Sequence, residues 1–220
     1  MKKLITLLLL TVVSVSINAQ EPDFSVGAFY FKITLPQEVT LVSDPNSCNL
    51  YHGDITIPDS VFHNGFCYKV TSLGKSVFAL SDLSSLSIPN SVQSIGAECF
   101  MGAVFPSSFK LKLPESLRTI GEAAFLCAEN IEQIFIPGLV QNIGVDAFGR
   151  SSDLNYIDVD ANNQYYISID GSLYSKDTST VISVPANISG EFSIPYGVKV
   201  IDNFAFDGCE SLKRIELPSS

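Results

Sequence analysis

The sequence predicts a repeat solenoid, mainly β with short irregular or helical arcs, and three observations lead there. The segments SIPNSVQSIGAECF (87–100), LPESLRTIGEAAF (113–125) and IPGLVQNIGVDAF (136–148) share one skeleton. Counted from Pro, Val or Leu follows at three, Ile at six, Gly at seven and Phe at eleven. The Phe mark then recurs: Phe78, Phe100, Phe125, Phe148 and Phe206 are separated by 22, 25, 23 and 58 residues. Finally, a unit this short cannot bury its own apolar face, whereas stacked units bury one another's.

Residues 1–19 read as a signal peptide. Two lysines precede the apolar run Leu4–Leu10, and small and polar residues end at Ile17-Asn18-Ala19, so cleavage is expected after Ala19. The apolar core is too short to cross a bilayer comfortably, no second hydrophobic span follows, and no Cys follows the cut to take a lipid. The mature chain is therefore expected to be exported, without a transmembrane span. Residues 20–52 form an expected N-terminal β cap: FSVGAFYFKITLPQEVTLVSDP alternates apolar and polar residues like a hairpin and lies where an open first coil would meet water.

Residues 53–220 are assigned to the coils. After each Phe comes an apolar residue at six, nine and eleven and Pro at twelve: Ile131, Ile134, Ile136 and Pro137 in one unit, Leu212, Ile215, Leu217 and Pro218 in another. Such alternation makes a strand with one buried face, and Pro ends it because it has no amide hydrogen for a ladder. Gly96, Gly121 and Gly144 suit a return that needs a positive φ or a close approach to the next coil. Asp202 takes that slot in the last unit, as a residue that tolerates positive φ. Two residues are added in VFPSSFKLKLP (104–114).

The gap of 58 contains a variant unit at about 160–195. There YYISIDGSLY (165–174) reads as two strands about an Asp170-Gly171 turn. Ile182-Ser183-Val184-Pro185 reads as a further repeat strand, and Phe192-Ser193-Ile194-Pro195 restarts the normal order. No cap-like segment follows the last strand, IELPSS (215–220). The expectation there is an exposed sheet edge or a chain that goes on into another coil.

These residues resemble the BspA-type leucine-rich repeat family of bacterial and protist surface proteins. Ile88, Pro89, Ser91, Val92, Ile95 and Gly96 carry its motif in one unit, and Ala205, Phe206, Cys209, Leu212 and Ile215 in another. Tyr166, Asp170-Gly171, Leu173-Tyr174 and Lys176-Asp177 look like its recurring hairpin variant. The resemblance implies a leucine-rich-repeat-like right-handed coil with a concave parallel β-sheet, and a role in adhesion or recognition. It names no ligand.

The formal charge is −10, and loss of Lys2 and Lys3 with the signal makes it −10 − 2 = −12. Such an excess of carboxylates disfavours nucleic acid as a partner. Of the five cysteines, Cys48 and Cys67 could bridge if export reaches an oxidising compartment; Cys99, Cys127 and Cys209 sit beside the recurring Phe as expected core residues. Chemistry finds little support. Gly74-Lys75-Ser76 lacks the earlier Gly of a phosphate loop, where Lys69 stands. The calcium-like DVDANN (158–163) has Asn163 where a loop of that kind needs Gly and Ile169 where it needs Glu. His52, His63 and Cys67 make no convincing nucleophilic set. No enzyme, cofactor or metal is expected.

Strand parity supplies the candidate site. If the residues at nine and eleven point inward, those just before them share the outer face. The columns are Ser85 and Ser87, Lys110 and Lys112, Gln133 and Phe135, Tyr156 and Asp158, Ser183, then Arg214 and Glu216, on strands about 4.8 Å apart. Phe135 and Tyr156 are the expected aromatic anchors for a host or bacterial surface protein, and Lys110, Lys112 and Arg214 the charge contacts. The other expectation is a structural module that stacks through uncapped repeat ends, with self-association at the C-terminal edge.

Overall fold

The computed structural model describes residues 21–44 and 50–218. Residues 1–19, expected to be a signal peptide, and Cys48 lie outside the described residues. The chain opens as an antiparallel meander, β1 (Phe24–Val26), β2 (Phe29–Leu35) and β3 (Glu38–Val42). It continues through β4 (His52–Thr56) to a hairpin of β5 (Ser60–His63) and β6 (Phe66–Leu73) about Asn64-Gly65, both with positive φ. Each following coil then repeats one long and one two-residue strand. These are β7 (Asp82–Ser87) and β8 (Ser94–Ile95), β9 (Val104–Lys112) and β10 (Thr119–Ile120), and β11 (Glu129–Ile136) and β12 (Asn142–Ile143). After β13 (Tyr156–Val159) come the variant strands β14 (Tyr166–Ile169), β15 (Ser172–Ser175) and β16 (Thr180–Ser183), then β17 (Gly190–Ser193), β18 (Val200–Ile201) and β19 (Leu212–Glu216). Among the described residues there is no helix.

The long strands stack in parallel as one sheet, ordered β13-β11-β9-β7-β4. The short strands stack as another, β12-β10-β8-β6, which the meander extends through the parallel pairing of β3 with β6. The segment expected to be a cap is thus joined edge to edge with the short-strand sheet. The two residues added before Lys112 are absorbed inside β9: its offset from β11 falls from 129 − 104 = 25 to 133 − 110 = 23.

The arcs between short and long strands are neither helical nor irregular. Phe78 N–H donates to Cys99 O, Phe100 N–H to Ala124 O and Phe125 N–H to Ala147 O, each at 2.8 Å, so every arc is tied to the next by backbone bonds. Such a ladder needs the chain to turn while its amides still point along the solenoid axis. Left-handed residues achieve this two and six positions after the Gly slot: Ser76 and Leu80, Glu98 and Gly102, Ala123 and Cys127, Asp146 and Arg150.

The recurring Gly is therefore not the positive-φ residue. Gly96, Gly121 and Gly144 lie outside the left-handed region, and it is close approach that excludes a side chain. A Cβ on Gly96 would lie 2.7 Å from the carbonyl carbon of Gly74, and one on Gly121 2.5 Å from that of Gly96. Asp202 does not take positive φ either. Its slot faces a small cavity of ≈40 Å³, lined by Gly144, Asp146, Ser183 and Phe204, where the coils stand apart enough to admit a side chain.

Inside, the Phe rings form a stack. Centroids are 5.2 Å apart from Phe78 to Phe100, 5.2 Å from Phe100 to Phe125 and 6.0 Å from Phe125 to Phe148, with interplanar angles of 8°, 6° and 16°. Tyr51, 4.9 Å from Phe78, continues the series toward Phe29. Cys99 is buried among these rings, and burial pushes its thiol far above the ordinary range, the behaviour of a small core residue rather than a reactive one.

The variant unit divides the core. Leu173 and Tyr174 are consecutive on β15 and so point to opposite faces. Leu173 belongs to the core that runs back to Phe24, Tyr174 to a smaller one with Val181, Val184, Phe192, Ile194 and Ala205. The hairpin also meets the open edges of the first two sheets. Ile157 N–H donates to Gly171 O at 2.8 Å and Ile157 O accepts from the Ser168 hydroxyl at 2.7 Å, while Ile143 N–H donates to the Tyr166 hydroxyl at 3.0 Å. Beyond it, β16 pairs with β18 and β17 with β19.

Candidate functional site

The outer face of the long-strand sheet carries the columns that parity requires. Gln133 pairs with Lys110 on one side and Tyr156 on the other; Phe135 pairs with Lys112 and Asp158. Between them Leu111, Ile134 and Ile157 are buried, so the alternation holds across three strands. Phe135 is 37% and Tyr156 56% exposed, two aromatic rings outside the core on adjacent strands. Lys110 and Lys112 are exposed and enter no ion pair among the described residues. The Gln133 amide donates to the Asp158 carboxylate and ties the two columns together. The result is a patch with two cations on one strand, Phe135 on the next, and Tyr156 with an engaged carboxylate on the third.

The face does not extend as far as expected. Arg214 and Glu216 stand on β19, whose ladder partner is β17, a separate two-stranded sheet beyond the hairpin. There Arg214 reaches Glu216 at 3.1 Å and Glu191 at 3.6 Å, so its charge is engaged locally. Glu191, opposite Arg214 in that ladder, was not singled out from the sequence. Ser183 also leaves the column, because β16 joins β18 in the row of short strands. The sequence Ile182-Ser183-Val184-Pro185 has the local pattern of a long strand, but the hairpin before it delivers the chain to the other row.

Residues weighed for chemistry have structural work. Lys75 pairs with Glu98 at 3.3 Å and the Ser76 hydroxyl donates to Glu98 at 2.9 Å, one coil bound to the next. Asn163 is buried: its side-chain amide donates to Pro137 O and Val140 O at 2.9 Å, and its carbonyl accepts from the amides of Tyr165 and Tyr166. Asp160 accepts from the Asn162 backbone at 2.8 Å. The ring of His63 stacks on Phe24 at 4.1 Å. Cys67 is an exposed free thiol on β6.

Six copies of the BspA type leucine rich repeat region match the chain, over residues 71–190 and 186–220. The chain belongs to the BspA-type leucine-rich repeat family. Solved leucine-rich repeat structures share its fold. A protein from Eubacterium ventriosum is 20% identical at a TM-score of 0.59, with 87% of this chain and 58% of that one covered. The pneumococcal vaccine antigen PcpA is 17% identical at 0.58, covering 88% and 64%. A protein from Bacteroides ovatus is 23% identical at 0.52, covering 89% and 53%. The chain thus spans between about half and two thirds of the length of these solved proteins, and at such identities the likeness shows the fold alone. No curated protein matches it. The repeat family and its fold are typically non-enzymatic. No helix among the described residues is long and apolar enough to cross a membrane.

Proposed function

We propose that the protein is an exported binding module of the cell surface that adheres to protein partners through the outer face of its long-strand sheet. The observation that supports this reading is the pair Phe135 and Tyr156, exposed on adjacent strands beside Lys110 and Lys112. Aromatic rings, Tyr above all, are among the side chains that dominate protein interfaces, and flanking cations add charge complementarity to an acidic partner. They sit on a ladder anchored from beneath by Leu111, Ile134 and Ile157, so little backbone freedom remains to be lost on binding. Arg214 and Glu216, on their own sheet, form at most a second contact region.

Phe135→Ala with Tyr156→Ala tests the reading. Adhesion to a protein-coated surface is expected to be lost while the melting temperature stays within a few degrees. Retained adhesion in the folded double variant would move the site away from this face. A second reading, assembly by end-to-end stacking, draws on the exposure of Val200, Ile201, Phe204, Ile215 and Leu217 on the last described coil. Sedimentation that grows with concentration and is indifferent to Phe135→Ala would favour it.

A further inference from the structure

At the other end of the long-strand sheet, β4 has a neighbour on one side only: among the described residues it pairs with β7 alone. Ile57 N–H donates to Ser87 O at 3.0 Å, so Ile55 and Ile57 turn their backbone groups toward β7. By alternation, Asp54 and Thr56 turn theirs to the open edge. That edge lines a groove of ≈700 Å³ whose opposite wall is formed by Ala28, Phe29 and Tyr30, where β1 turns into β2. Among the described residues the meander supplies extra strands to the short-strand sheet and none to the long-strand sheet. Among the described residues no strand lies beside β4 on that side, while the equivalent position beside β3 is filled by β2.

The groove has a definite chemistry. Phe29, Leu50, Tyr51 and Ile55 give it apolar walls, and its polar lining includes the carboxyl groups of Asp44 and Asp54 and the imidazole of His52, with no Lys or Arg. Asp54 is exposed on the outer side of the sheet, where its carboxylate accepts from the Ser85 hydroxyl at 2.7 Å. We propose that this groove binds an extended polypeptide segment as an added strand, one in which apolar side chains alternate with basic ones. The backbone of the segment would bond to the free groups of Asp54 and Thr56. Its apolar side chains would enter toward Tyr51 and Ile55, and its basic ones would lie beside Asp54. Addition of a strand to an exposed sheet edge is a general mode of peptide recognition, in which main-chain bonds give affinity and alternate side chains give selectivity. A whole coil cannot take this place, because its short strand would meet β2.

The test uses the mature chain and a short capped peptide alternating Lys and Val. Saturable one-to-one binding is expected, with slowed amide exchange at Asp54 and Thr56. A Glu-for-Lys peptide, or one methylated on alternate backbone nitrogens, should not bind. Asp54→Asn keeps the Ser85 bond and should weaken the Lys peptide up to about fivefold, the scale of an exposed ion pair. Thr56→Pro removes one edge amide without touching the β7 ladder and should weaken it about tenfold. Unchanged exchange at Asp54 and Thr56 under saturating peptide would overturn the proposal, as would equal binding of the Glu peptide. So would edge-to-edge dimers that involve β4, since they would make a second copy the occupant.

Discussion

The coil around β11 and the coil around β19 are written in the same motif and have opposite fates. In the first, Ile120, Phe125, Ile134 and Ile136 are essentially inaccessible. In the second, Ile201 is 45%, Ile215 41% and Leu217 69% exposed, and Phe206 has an edge-on contact with Phe192 at 5.4 Å where the inner rings stack. Like residue types at equivalent positions differ because burial in a solenoid is conferred by the neighbouring coil. An inner coil has two neighbours, and the last described coil has one. The hairpin at β14 and β15 sharpens the contrast, since it places the last coils around a second, smaller core.

The largest effect that tests this contrast is truncation of the same motif position in both regions. Ile134→Ala should cost about 2 to 5 kcal/mol in chemical denaturation, through lost transfer energy and the cavity left behind. Ile215→Ala should cost less than about 1 kcal/mol, as at an exposed site. Equal losses would mean that the last coil is covered as the inner ones are.

Next in size is the Gly slot. Gly121→Ala sets a methyl against the Gly96 backbone and should destabilise by about 1 to 3 kcal/mol, because backbone cannot step aside as a side chain can. Asp202→Gly, at the same slot beside the small cavity, should recover none of the packing that Gly121 gives. A neutral Gly121→Ala would break the claim of close approach.

The smallest effect is pH-dependent and lies at the joint between the two regions. Asp146 has one buried carboxylate oxygen without a partner and faces Asp207, Arg150 and Glu122. Burial, then the Asp207 charge, push its carboxyl up to about 6 from an ordinary 3.8. A group whose folded value is raised favours the folded state below its unfolded value, and that contribution is lost as pH rises through the folded value. The stabilisation is therefore complete below about pH 4 and gone above about pH 7. Asp146→Asn keeps a residue suited to the positive φ and removes the charge. It should raise the melting temperature at pH 8 and lose that advantage toward pH 4.5. A constant difference across that range would exclude Asp146 as a strained carboxylate.

Much of this contrast could be read from the residues. The 23-residue spacing, the inward Ile and Leu columns, the outward Lys110–Gln133–Tyr156 register and the Asp170-Gly171 turn all follow from patterns of period two and from turn chemistry. Other features lie in relations between coils, which one unit does not display. The left-handed residues two and six places after the Gly slot include Glu98, Ala123, Cys127 and Arg150, none of which advertises a positive φ. The ladder between arcs imposes that conformation from outside. Likewise Ile182-Ser183-Val184 looks like its neighbours, and only the hairpin's route decides its row. The β5–β6 hairpin does carry a local signal, Asn64-Gly65 between alternating residues. The groove beside β4 has none, since it lies where, among the described residues, strands are supplied to one sheet and not the other.

Amide hydrogen exchange resolved by residue tests the central claim, that each coil is stabilised by its neighbours, most directly. The account predicts that Phe100 and Phe125, whose amides bond to the next coil at 2.8 Å, exchange only through global unfolding. Lys213 to Glu216 on β19 should exchange orders of magnitude faster, by local fraying of an edge with one neighbour. Equal protection of the two sets, in a chain shown to be monomeric by sedimentation, would contradict it.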